Sequence, residues 1–140
     1  MSEISDSELI TLLKKNGLKA TPQRLAICRF VLSSKEHPTA DIIFNEVKKI
    51  YPSISHATVY KTISLLKNLG LIVELNFHNS HSHFDSNVNL HVNIVCPNCN
   101  KIIDYQSKLV DEFYKKLESE VGGKFIGQRF DIYKKCKECK

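Results

Sequence analysis

Cys96 with Cys99 and Cys136 with Cys139 form two CxxC pairs near the end of a 140-residue chain. Each spacing lets both sulfurs of a pair reach one ion from a tight turn, so the four thiolates match a closed tetrahedral zinc site. Residues 100–135 separate the pairs, a longer gap than in a compact zinc ribbon, so a folded insert must bring them together. Thiol–disulfide chemistry is the competing reading. A redox CxxC needs no second pair, however, and no βαβ pattern precedes this one, so structural Zn2+ is the expectation.

Nitrogen and oxygen donors of another character surround the first pair: Asp85, His91, Asn93 and Asp104, with His81 and His83 nearby. In extended chain, His91 and Asn93 project to one side, as do His81, His83 and Asp85. Such a set suits a hard or borderline ion, namely iron, manganese or zinc, and disfavours copper(I). Isolated histidines are also common surface residues, and spacing alone does not decide between the two.

The elements that must position these residues can be read from apolar periodicity. Leu9, Leu12 and Leu13 predict a first helix that stops at Asn16-Gly17. Thr21-Pro22 opens a second, with Leu25, Cys28, Val31 and Leu32 inward, and Cys28 reads as a small core residue. Thr39 caps a third, with Ile43, Val47 and Ile50 inward. Ser55 caps a fourth that runs to Leu69 before Gly70, with Val59, Ile63 and Leu66 on the buried face and Ala57, Lys61, Ser64 and Asn68 opposite, flanked by Tyr60. Leu71, Val73, Leu75 and Phe77 then alternate at strand period, a polar tip follows at 78–82, and His83-Phe84-Asp85 resumes an extended pattern.

Helices ending in a fourth, then a hairpin, predict a winged helix-turn-helix. The fourth helix has no Asp or Glu from Ser53 to Val73, although acids are scattered through the rest of the segment. Phosphates repel carboxylates, and short side chains allow close approach to base edges. Its N-terminal half, Ser55, His56, Ala57, Thr58, Tyr60, Lys61 and Ser64, is therefore the expected contact surface for double-stranded DNA.

Beyond the wing, residues 101–105 read as a strand, Val110, Phe113, Tyr114, Leu117 and Val121 as a helix stripe, and Phe125 to Tyr133 as a strand that returns the chain to the first thiol pair. The fold class is α+β, with a winged-helix domain at 1–82, a hinge at 83–90 and a small metal-binding domain at 91–140. Domains of this size have marginal cores and need a metal or a partner. The net charge of +5 permits nucleic-acid binding without locating it. No apolar run approaches the roughly 18 residues of a membrane span, and the basic start and apolar stretch of a signal peptide are lacking, so a cytoplasmic location is expected.

LKATPQR at 18–24, HPTA at 37–40, SHATVYKTISLLKNLGLI at 55–72, FDS at 84–86, HVNIVCPNCNKIID at 91–104 and the terminal KKCKECK together resemble the ferric uptake regulator (Fur) family, and within it the peroxide-sensing PerR branch. The resemblance implies a winged helix joined to a small α/β dimerisation domain, a homodimer, and a palindromic operator. It implies Cys96, Cys99, Cys136 and Cys139 as zinc ligands, and His37, Asp85, His91 and Asp104 as four of five ligands of a regulatory Fe2+ or Mn2+, or else Zn2+. The fifth position, a histidine in the family pattern, is Asn93, which leaves ligation by Asn93, by His83 or His81, or by water. A further site of some relatives is not expected, because Leu90, Val92 and Gln128 occupy its positions. In the peroxide branch, iron at this kind of site reacts with peroxide and oxidises a ligating histidine, here His37 or His91 by resemblance, and DNA is released. The alternatives are an iron, manganese or zinc uptake regulator without peroxide chemistry and, more distantly, a zinc-bound thiol redox protein.

Overall fold

The computed structural model describes residues 4–77 and 81–139 and divides into two compact units, 1–88 and 89–140. In the first, helices α1 (Asp6–Lys15), α2 (Pro22–Ser33), α3 (Ala40–Lys48) and α4 (His56–Asn68) precede the antiparallel hairpin β1 (Val73–Leu75) and β2 (His83–Asp85). Each helix begins at a hydroxyl that accepts an orphan backbone N–H: Ser5 from Glu8, Thr21 from Arg24, Thr39 from Ile42 and Ser55 from Thr58. Such a cap contributes about 1 kcal/mol. Helices α1 and α4 end at Gly17 and Gly70, both at positive φ (78° and 73°), where an L side chain would be strained. The Leu71 N–H then donates back to the Leu66 carbonyl and closes the α4 terminus.

Leu9, Ile27, Cys28, Val31, Ile43, Val47, Val59, Ile63, Leu66, Ile72 and Phe84 form the core of this unit. Burial raises the Cys28 thiol to about 11, which keeps it neutral and inert, as its place on the inward stripe predicts. Two expected core positions differ. Ile50 is 68% exposed, because α3 ends at Lys48 and Tyr51, whose N–H donates to the Val47 carbonyl, turns inward instead. Val73 is exposed and Ile72 buried: residues 71 and 72 belong to the turn after Gly70, and the first residue of β1 is left uncovered while Leu75 is buried. Residues 78–80 of the expected polar tip lie outside the described residues. His83–Asp85, at the start of the expected hinge, are wing strand.

The second unit holds β3 (Val92–Val95), β4 (Ile102–Tyr105), α5 (Lys108–Val121) and β5 (Phe130–Tyr133) in a sheet of order β4-β3-β5. Strand β3 pairs antiparallel with β4 and parallel with β5, so α5 is the crossover. The last strand is shorter than the expected 125–133. Gly122 and Gly123 end α5 at positive φ, and Phe125 turns back to meet Tyr114 edge-on, with ring centroids 5.4 Å apart. Of the expected α5 stripe only Val110 is buried, whereas Phe113 and Val121 are exposed. Ile103, Ile126 and Ile132 are exposed as well, so the sheet and helix leave an apolar surface uncovered within one protomer.

Candidate metal centres and nucleic-acid interface

The thiol site follows from the parallel pairing of β3 and β5. Val95 and Tyr133 are register partners, and the Lys134 N–H donates to the Val95 carbonyl, so the residues leaving both strands emerge side by side. Cys96 thereby receives the Cys136 N–H on its sulfur at 3.4 Å. The turn 97–100 closes when the Asn100 N–H donates to the Cys96 carbonyl, with Asn100 at a φ of 63°, and it brings Cys99 Sγ to 3.7 Å from Cys136 Sγ. All four sulfurs lie within 4.8 Å of one another. Tetrahedral zinc with bonds of about 2.3 Å sets its sulfurs about 3.8 Å apart, so the cluster fits the ion. Hydrogen bonds from the Cys136 and Cys99 backbone pull the Cys96 thiol down from 9.0 to about 6. Cys139, donating to the sulfurs of Cys136 and Cys99, is pushed up from 9.0 to about 12. Thiolates packed this closely need a cation.

The first unit contributes a second donor group. His37 Nε2 lies 3.6 Å from Asp85 Oδ2, and both side chains are almost fully buried. His37 has a φ of 53°, a left-handed conformation costly for a residue before proline. The wing holds it there: Phe84 donates its N–H to the Pro38 carbonyl, and His83 Nδ1 donates to the His37 carbonyl at 2.7 Å. Asp85 Oδ1 accepts the Asn87 N–H at 2.8 Å, which leaves Oδ2 toward His37. His83 is thus placed as a support of His37, a role its spacing did not reveal.

The second unit contributes another. His91 Nδ1 donates to the Asn89 carbonyl at 2.7 Å, a contact that fixes the ring and turns Nε2 toward Asn93 Oδ1 (3.0 Å) and Asp104 Oδ1 (3.4 Å). A histidine anchored through one nitrogen in this way is prepared to ligate through the other. Asn93 Nδ2 donates to Asp131 Oδ1 at 3.0 Å, and Arg129 Nε grips the same carboxylate. Neither Asp131 nor Arg129 stands out in sequence; only the strand register brings them to Asn93. His81 is exposed in the wing.

On α4, Ser55, His56, Ala57, Tyr60, Lys61 and Ser64 are exposed and Thr58 is half-buried. The His56 ring stacks on Phe44 at 3.7 Å and 16°, so its plane is held by α3. Lys67 pairs with Glu74 of β1, joining the end of α4 to the wing and holding the Glu74 carboxyl below its ordinary range.

A helical head with an acid-free exposed helix and a wing, followed by a sheet carrying a four-cysteine cluster, defines a winged-helix, metal-binding protein. Residues 15–133 match the ferric uptake regulator family, and the chain belongs to that family. It is 39% identical to the peroxide-responsive repressor PerR of Staphylococcus epidermidis over 133 residues, 95% of this chain and 89% of that one. Among solved structures, the peroxide stress regulator of Campylobacter jejuni is 40% identical, with a TM-score of 0.78 over 94% of this chain and 99% of that one. The ferric uptake regulator Fur of Helicobacter pylori, described with three functional metal-binding sites, shares the fold at 24% identity, with a TM-score of 0.83 over 95% of this chain and 89% of that one.

Proposed function

We propose that this protein is a peroxide-responsive, metal-dependent repressor that binds a palindromic double-stranded operator as a homodimer in the cytoplasm. Among the described residues no helix is long and apolar enough to cross a membrane. In this reading Zn2+ is held by Cys96, Cys99, Cys136 and Cys139 and is structural, because four thiolates leave no open position for catalysis. His37 and Asp85 of the first unit, with His91, Asp104 and Asn93 of the second, serve one regulatory Fe2+ or Mn2+. The observation that carries the reading is that each unit holds a buried or anchored His/Asp group, one at each end of the short segment 86–90.

When bound, ferrous iron supplies the peroxide chemistry. The protein's part is to present rings. His91 is fixed through Nδ1 on the Asn89 carbonyl, and His37 has its backbone held by His83 and its ring confined by burial. Ligands drawn from both units let occupancy set the angle between the two reading heads, and only one angle places both α4 helices in successive major grooves. The head presents Ser55, His56, Ala57, Thr58, Tyr60, Lys61 and Ser64 to DNA. The uncovered Ile103, Phe113 and Ile132 suit the dimer interface.

Operator binding should require added Fe2+ or Mn2+. Peroxide treatment of the iron form should add one oxygen, about 16 mass units, to a peptide carrying His37 or His91 and release DNA. Metal-dependent binding without that adduct would instead favour a simple iron, manganese or zinc uptake regulator, a reading supported by Asn93 standing where the family pattern has a histidine. Binding indifferent to metal would overturn both.

A further inference from the structure

Asn93 lies at the centre of a polar row. Its register partner on β4 is Asp104 and its register partner on β5 is Asp131, so the three side chains share one face of the sheet. Asn93 is 3% exposed, and water therefore has little access to its carboxamide. The two ends of that group are chemically opposite, since the nitrogen only donates and the oxygen only accepts. Which end faces His91 decides whether position 93 can ligate a cation at all.

We propose that Asp131 is a positioning residue that makes Asn93 an oxygen donor to the regulatory ion. An ionised carboxylate only accepts, so Asp131 Oδ1, 3.0 Å away, draws Asn93 Nδ2 toward it and turns Asn93 Oδ1 to the side of His91 Nε2. Arg129 Nε lies 2.9 Å from Asp131 Oδ2 and 3.2 Å from Oδ1, which holds the carboxylate in place. With the amide flipped, two oxygens would face each other across the Asn93–Asp131 contact and an N–H would face the ion. The sheet thereby replaces the imidazole of the family pattern with a neutral oxygen. Alongside Asp85 and Asp104, that oxygen makes the site harder and narrows the advantage that Zn2+ has over Mn2+ and Fe2+.

This inference rests on the regulatory centre proposed above, and its test separates the two. Mn2+ is titrated calorimetrically into zinc-loaded protein and into N93A, D131A, the N93A/D131A double variant, D131N and H91A, with zinc content confirming that each is folded. D131A should weaken Mn2+ by roughly 10-fold or more, the scale of losing a group that orients a ligand. It should have no further effect on the N93A background, because it acts only through that amide. D131N should bind like the parent, since the single carboxamide oxygen it leaves can accept from both Asn93 Nδ2 and Arg129 Nε, as Asp131 Oδ1 does. Mn2+ binding that falls in H91A but is unchanged in D131A, or additive losses in the double variant, would overturn the role of Asp131 and leave the centre standing. Mn2+ binding unaffected by H91A would remove the centre itself.

Discussion

The backbone N–H of Cys136 points at Cys96 Sγ from 3.4 Å, so the last strand delivers its cysteine pair to the first by backbone hydrogen bonding. A zinc ion on the four sulfurs would lock a contact that the β3–β5 ladder already makes.

Removing that zinc should destabilise the second unit. Its buried aliphatic side chains among the described residues are Val92, Val95, Ile102 and Val110, a small core for a unit of this size. A four-thiolate zinc ties β3, β5 and the chain end together, the kind of cross-link that small domains rely on. Cys136→Ser or a strong chelator should lower β3–β5 amide protection in hydrogen exchange while α1–α4 keep theirs.

Proton release should report the uneven thiols. Cys96, lowered from 9.0 to about 6, favours the folded metal-free unit above pH 9, an effect lost as pH falls through 6. Cys139, raised from 9.0 to about 12, favours it below pH 9, an effect lost as pH rises through 12. At about pH 7.5, roughly midway between the lowered value and the ordinary one, Cys96 is already a thiolate. Zinc loading followed with a pH indicator should therefore release fewer than four protons and tighten as pH rises, because Cys139 must lose its own.

On α4, Lys61→Ala should weaken operator and random DNA alike and reduce the salt slope of binding by about 1, the mark of one phosphate contact. Ser64→Ala should leave that slope unchanged. Anisotropy titrations at several salt concentrations distinguish the two.

The exposed sheet face gives a test of assembly. Ile132 is the register partner of Ile94, which also partners Ile103, so the three form one row across the sheet. Ile132→Glu buries a charge if that row is an interface, and sedimentation should show a monomer that retains its zinc. A dimer indistinguishable from the parent would place the interface elsewhere.

Much of this protein was legible in the chain itself. Local rules sufficed for the hydroxyl caps Thr21, Thr39 and Ser55, the two glycine stops, the core place of Cys28 and the partnership of two CxxC pairs. In each, the deciding contact lies within a few residues or the ligand chemistry admits few alternatives. Tertiary structure decided what depends on register and on turns. It put Tyr51 inward in place of Ile50, folded Phe125 back onto α5, set His83 beneath the His37 carbonyl, and brought Asp131 to Asn93 across 38 residues of sequence. A strand's periodicity says which face a side chain takes but not which residue of another strand stands beside it. For that reason the type of residue at position 93 was plain from sequence, whereas the orientation of its amide, on which its chemistry turns, came only with the sheet.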